Sequence, residues 1–216
     1  MPGNRRRDVL TTSLREAAAV AREHFGTPVE DFLPDFSLNY PRLQKTLSES
    51  PGYARVEMPV IDPGDLEDFR EKLLRGDFPL RTATGVPAKY VQVPAGNLRP
   101  TQKEVWLDKI FGAIAKQGPP CSGSLVLRTP VIVSAELNLV DGHHRWAQVF
   151  LKNPDLEMNA LQIVLPIQRL LEVGVLYSDE VGNVRKQGRG PMIRLASKLP
   201  AGCSDRRRLL EALRRG

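Results

Sequence analysis

Leu139-Val140-Asp141-Gly142-His143-His144-Arg145-Trp146 reads as a short strand turning through a glycine into the first turn of a helix. Leu139 and Val140 suit a buried strand, and Trp146, Ala147, Phe150 and Leu151 recur at a spacing that gives the following helix one apolar face. Gly142 permits a tight turn and the close approach of a ligand, and Asp141 is placed to cap the helix. Two of the chain's 3 histidines and an arginine then fall where a helix exposes unpaired N–H groups and carries partial positive charge. Three basic side chains there predict an anion, phosphate first, gripped by Gly142, His143, His144 and Arg145, the arginine through a bidentate contact. Without such a ligand, the same residues read as local polar structure.

Working outward, residues 130–134 and 137–140 are two strands close enough to pair as a hairpin, since only Ala135 and Glu136 lie between them. The helix from Gly142 runs to about Lys152, followed by a strand at 160–165 and a helix from Pro166 to about Val173. Upstream, Ser13 and Glu16 form a capping box for a helix over 12–25. Prolines at 28, 34, 41 and 51 cut the next stretch into short pieces, one helical around 42–49. Residues 56–61 read as extended, and Asp62-Pro63 starts a helix that Gly76 ends. A loop over 78–89, a strand at 90–93, a turn at 98–102, a helix at 102–116 and a final basic helix at 204–215 complete the reading. Short strands interleaved with helices predict an α+β or small α/β fold, with α+β on a small mixed sheet as the expectation.

At 216 residues, with 41% hydrophobic and 26% charged, the chain has apolar material for one principal core plus extensions. Cys121 and Cys203 supply neither a disulfide framework nor metal-ligand spacing, which suits a reducing compartment. Arg5-Arg6-Arg7 is not followed by a continuous apolar run, so the N-terminus reads as neither signal peptide nor membrane span, and no membrane partner is expected. The net charge of +6 is uneven. Residues 185–216 hold ten Lys and Arg, among them Arg185, Lys186, Arg189, Arg206, Arg207 and Arg208, against Asp205 and Glu211. That is +8 in the tail and −2 in the body. A basic tail attracts nucleic acid with a steep salt dependence, or else serves as a solvated, solubilising segment.

Asp-Gly-His-His-Arg-Trp-Ala, preceded by the 130–134 strand and further back by Leu98-Arg99-Pro100-Thr101-Gln102, resembles the ParB/sulfiredoxin superfamily over about residues 86–173. The wording looks most like the free-serine kinases of that superfamily and its phage-encoded ParB-like members, and Met58-Pro59-Val60-Ile61 ahead of a helix also looks like the phage proteins. The resemblance implies a ParB/sulfiredoxin-like nucleotide-binding core at 86–176, between a mainly helical N-terminal extension at 1–85 and a basic C-terminal tail at 177–216. It implies ATP or another nucleoside phosphate with Mg²⁺, contacted by Arg99, Thr101 and Gln102 from the upstream block, lining the same cleft as Gly142, His143, His144 and Arg145. Its serine kinases place a glutamate just after the Leu-x-Pro turn to take the hydroxyl proton. Here Glu104 stands near that place, one residue late, and also reads as a first-turn glutamate stabilising its own helix. Asp141 would help hold Mg²⁺ or orient the acceptor.

The expected function is therefore a kinase, a phosphotransferase acting on a hydroxyl of a small compound such as serine or of a hydroxymethylated base in DNA, in the cytoplasm of a bacterial or phage-infected cell. The alternatives are a non-enzymatic ParB-like DNA-binding or nuclease-like protein and a phage structural or host-interaction protein with a degenerate cleft. Sulfiredoxin chemistry needs a cysteine where this chain has His143. A segregation ParB needs a helix-turn-helix module after the core, for which the sequence after Val173 offers no room. Adjacent histidines point about 100° apart on a helix, so His143 and His144 are poorly placed to chelate one metal, and His24 reads as a helix-surface residue. Trp106 and Trp146 read as core.

Overall fold

The computed structural model describes residues 33–54, 57–77 and 85–183, and the backbone of a two-residue strand at 192–193. The helix expected at 12–25, His24, the Arg5 to Arg7 run, the basic-tail residues Arg185, Lys186, Arg189, Arg206, Arg207 and Arg208, and the final helix at 204–215 lie outside the described residues.

Five strands make one mixed sheet: β1 (Ala88–Pro94), β2 (Arg99–Pro100), β4 (Val131–Val133), β5 (Asn138–Asp141) and β6 (Glu157–Ile163), in the order β1-β6-β4-β5-β2. β1 runs antiparallel to β6, β6 parallel to β4, β4 antiparallel to β5, and β5 parallel to β2. The expected hairpin is thus the β4–β5 pair. A separate pair joins β3 (Val105–Trp106) to β7 (Met192–Ile193). Among the described residues, six helices accompany the strands: α1 (Leu33–Ser48), α2 (Leu66–Arg75), α3 (Leu107–Gln117), α4 (Leu125–Arg128), α5 (His143–Lys152) and α6 (Ile167–Glu180). The fold class is α+β on a mixed sheet, as the sequence predicts.

Alternation along the strands divides the core in two. Val131, Val133, Leu139, Met158 and Ala160 face α1, α3 and α5, while Ile132, Val140, Leu161 and Ile163 face α2 and α6. Trp146 anchors the first side, fully buried and donating its indole N–H to Ala95 O at 2.8 Å. Trp106 is only half-buried.

α1 is the largest departure from the sequence reading. One continuous helix passes through both Pro34 and Pro41, where the prolines were expected to fragment the chain. Pro34 sits in the first turn, where a missing N–H is harmless. Pro41 is interior and costs about 3 kcal/mol, but its ring faces solvent while Phe36, Tyr40, Leu43 and Leu47 bury a full stripe on the helix's other face. Burial at about 1.5–3 kcal/mol per large side chain outweighs the one proline. Asn39 Nδ2 also donates to Leu151 O at 3.0 Å, near the carbonyl end of α5.

Other boundaries shift for local reasons. The 98–102 turn is in fact β2, an edge strand held by β5, and Thr101 O beyond it accepts the N–H groups of Gly52 and Tyr53 at 3.1 and 3.0 Å. The helix expected from 102 begins at Leu107, because Val105 and Trp106 are drawn into pairing with β7. The chain at 57–61 forms no strand. At Asp62-Pro63 a 3-10 turn, Pro63–Asp65, precedes α2, which ends at Gly76 as expected. The helix after Pro166 runs on to Glu180. No helix among the described residues is long and apolar enough to cross a membrane.

Candidate functional site

β5 delivers Asp141 to the edge of a cleft of about 280 Å³, and the chain then reverses into α5 through Gly142. Gly142 has φ +94, and a β-carbon there would stand 2.6 Å from Val131 Cγ1 and 3.0 Å from Arg145 Nη2. Both the backbone angle and the space therefore demand glycine. The capping position falls on Gly142, not on Asp141 as expected; lacking a side chain, glycine leaves the first-turn N–H groups of α5 without a side-chain cap. Asp141 Oδ2 lies 3.6 Å from Arg145 Nη2 instead.

The two histidines do not behave as the sequence suggests. His143 is buried, and its Nε2 accepts the Thr101 N–H at 3.2 Å. Thr101 Oγ1 lies 3.1 Å from the same nitrogen, with its own proton directed to Leu139 O at 2.6 Å. His144 Nε2 accepts the Trp106 N–H at 3.0 Å, just before α3 begins. In both rings Nε2 is therefore taken up by a backbone N–H of the protein. They tie the helix start to Thr101, just after β2, and to β3.

Among the described residues, Arg145 is the arginine or lysine that lines this cleft. Its side chain is 22% exposed, yet Nη1 is wholly buried with no hydrogen-bond partner among the described residues. Burial pushes its pKa down from the usual arginine value, and the charges of Asp141 and Asp62 push back upward. A buried guanidinium nitrogen without an acceptor is expensive, of the order of 1–3 kcal/mol or more.

The far wall is Val60, Ile61, Asp62 and Pro63. Ser178 Oγ on α6 accepts the Val60 N–H at 2.8 Å, and Asn183 Nδ2 donates to Val60 O at 3.1 Å and to Asp65 Oδ2 at 2.9 Å. Gly174 lets α6 approach closely, for a β-carbon there would meet Pro59 Cγ at 2.9 Å. Asp62 was legible only as a helix cap, and it makes no side-chain capping bond. Its exposed carboxylate is the functional candidate that sequence reading missed. Only folding brings it opposite a motif about eighty residues away, and the signal in the sequence was an Asp-Pro helix start.

The other expected residues separate. Arg99 does not line this cleft. With Leu98 and Pro100 it lines a larger one of about 770 Å³, beside Ser50, Asn97, Leu137 and Asn138. That places it by the Asn138 end of β5, whereas Asp141 closes the other end. The upstream block and the glycine turn were expected to share one cleft, and the structure divides them. Thr101 is buried as the partner of His143, and Gln102 is buried with Nε2 lacking a hydrogen-bond partner among the described residues. Glu104, half-buried just ahead of β3, lines neither cleft. No group of three or more His, Cys, Asp or Glu able to hold a metal occurs among the described residues. No family model, curated protein or solved structure matches the chain.

Proposed function

We propose that the cleft at the start of α5 binds the phosphate end of a nucleoside phosphate, ATP in the simplest case, and that the protein is a phosphotransferase to a hydroxyl. The observation that carries this reading is Arg145, which lines the cleft and whose buried Nη1 has no hydrogen-bond partner among the described residues, beside the N-terminus of a ten-residue helix whose capping residue has no side chain. Helix N–H groups, a helix dipole of about half a charge and one guanidinium are a known anion-binding combination. At about 280 Å³ the cleft suits a phosphate chain more than a whole nucleotide, whose base and sugar would extend past its mouth.

In this reading the first-turn N–H groups of α5 and Arg145 hold the terminal phosphate. The acceptor oxygen forms a bond to its phosphorus, the bond to the bridging oxygen breaks, and nucleoside diphosphate leaves. Asp141 takes the hydroxyl proton, since Glu104 lines neither cleft. Mg²⁺, when bound, neutralises the charge on the phosphate oxygens. The acceptor is a small alcohol such as serine or a hydroxymethylated base on DNA gathered by the basic tail. His143 and His144 position the helix start and do not touch phosphate.

The test is calorimetric titration with ATP, followed by transfer of γ-label to serine or to hydroxymethylpyrimidine DNA. Arg145→Met should weaken ATP binding roughly ten- to a hundred-fold, the loss of about 1.5–3 kcal/mol of charge-assisted hydrogen bonding. Asp141→Asn should abolish transfer, and Glu104→Gln should leave it near wild type. Absence of ATP binding by the wild-type protein defeats the reading.

A further inference from the structure

The electrostatics of this cleft differ in sign from the sequence. Its lining holds Asp62, Asp141 and Arg145, a formal net charge of −1 on the convention that histidine is neutral at pH 7, where the motif alone suggests three cations. Asp141 and Arg145 face each other at 3.6 Å and cancel. Asp62 is left over. Its charge acts on Arg145, yet it makes no ion pair with it within 4 Å, and its carboxylate makes no helix-capping bond. A phosphate chain carrying several negative charges gains from the helix end and the guanidinium, but meets in Asp62 a carboxylate that opposes it.

Resting on the phosphate-binding reading above, we infer that the cleft takes its phosphate as a divalent-cation complex, and that Asp62, outside the glycine motif, is the carboxylate that holds the cation. Two independent observations meet here. Arg145 Nη1 calls for an anionic acceptor, and the surplus carboxylate across a cleft of about 280 Å³ calls for a positive charge between itself and that acceptor. A small hard cation such as Mg²⁺ binds in this way, through one or two carboxylates, substrate phosphate oxygens and retained waters. It needs no cage of three protein ligands, in keeping with the absence of any such group among the described residues. The Asp62 wall is fixed by Ser178 and Asn183 on and just beyond α6, so the carboxylate is presented by a braced segment.

The experiment measures ATP affinity of the full chain by calorimetry, once in Mg²⁺ and once in EDTA, for wild type and Asp62→Asn. Wild type should bind at least tenfold tighter with Mg²⁺. Asp62→Asn should lose that gain to within about twofold while binding metal-free ATP as well as wild type or better, because the opposing charge is gone. Asp62 is exposed, and matching thermal midpoints confirm that the variant is folded. Ser178→Ala, which loosens the wall without removing the carboxylate, should reduce the Mg²⁺ gain only in part. Equal wild-type affinity in Mg²⁺ and EDTA, or a full Mg²⁺ gain in Asp62→Asn, overturns this inference alone. Wild type that binds ATP in neither condition overturns the phosphate-binding reading and this inference together.

Discussion

β5 is bracketed by two left-handed residues, Leu137 at φ +63 and Gly142 at φ +94, and they hold that conformation for different reasons. Leu137 closes the tight link from β4. Its N–H donates to Ser134 O at 3.1 Å, the Ser134 N–H donates to Asn138 O at 2.9 Å, and its side chain packs on the core. The hairpin imposes the angle and side-chain packing tolerates it. At Gly142 no side chain is admissible, because Val131 and Arg145 occupy the space and the first turn of α5 opens onto the cleft. The same backbone state is local strain at one end of the strand and a condition of the site at the other.

Gly142→Ala tests the second half of that contrast and should show the largest effect. The alanine combines about 1–2 kcal/mol of left-handed strain with about 1–3 kcal/mol of overpacking against Val131. We expect a loss of about 3 kcal/mol in urea unfolding, with ATP binding lost as well. A variant within 1 kcal/mol of wild type would show that the turn has room to relax.

Next in size is the histidine tether. His144→Leu strands the Trp106 N–H and should cost about 1–3 kcal/mol. His144→Gln, which offers an amide oxygen, should recover part of it. If the two variants are equally unstable, ring packing and not the accepted hydrogen bond is what holds α3 to α5.

The residues that were readable in the sequence are those whose role is local. Alternating Val131, Ile132, Val133 and Leu139, Val140 specify the hairpin, and the spacing of Trp146, Ala147 and Phe150 specifies α5. The spacing of Leu66, Phe69 and Leu73 likewise specifies α2. What failed was decided at a distance. Pro41 looks like a breaker until Phe36, Tyr40, Leu43 and Leu47 are seen buried together. Leu98 to Gln102 looks like a turn until β5 supplies an edge. At the site, the glycine turn and the helix start were legible, but the tethering of His143 and His144 was not. It depends on N–H donors at Thr101 and Trp106 that the sequence does not place beside them. For the same reason the sequence did not show that Arg99 lines a different cleft from the glycine turn, or that Asp62 lines the same one.

On α6, Tyr177 gives an intermediate effect through pH. Its hydroxyl donates to Asp68 Oδ2 at 2.9 Å and lies 3.1 Å from Asp65 O. Burial first, then that bond to Asp68, raises its pKa well above the ordinary tyrosine value. Tyr90, also desolvated and bonded to Glu67, is pushed up to about 12. Both groups stay protonated in the folded chain where the unfolded chain ionises, so their stabilisation is complete below about pH 10 and fades as pH rises beyond it. Tyr177→Phe should flatten this alkaline decline in melting temperature and lower stability at pH 7 by about 1 kcal/mol. An unchanged alkaline slope would locate the titration elsewhere.

The smallest effect belongs to Leu137→Gly. Glycine relieves about 1–2 kcal/mol of left-handed strain. It gives up roughly 1 kcal/mol of burial from a half-buried leucine, and about 0.5–1 kcal/mol more through the entropy of a freer unfolded chain. These terms nearly cancel, so the midpoint of unfolding should move by less than about 1 kcal/mol in either direction. ATP binding should not move at all, because Leu137 lines the larger cleft beside Arg99 and not the one closed by Gly142. A loss above about 2 kcal/mol would mean that the leucine side chain is as necessary at its end of β5 as its absence is at Gly142. A change in ATP affinity would mean that the two clefts communicate along the four residues of the strand.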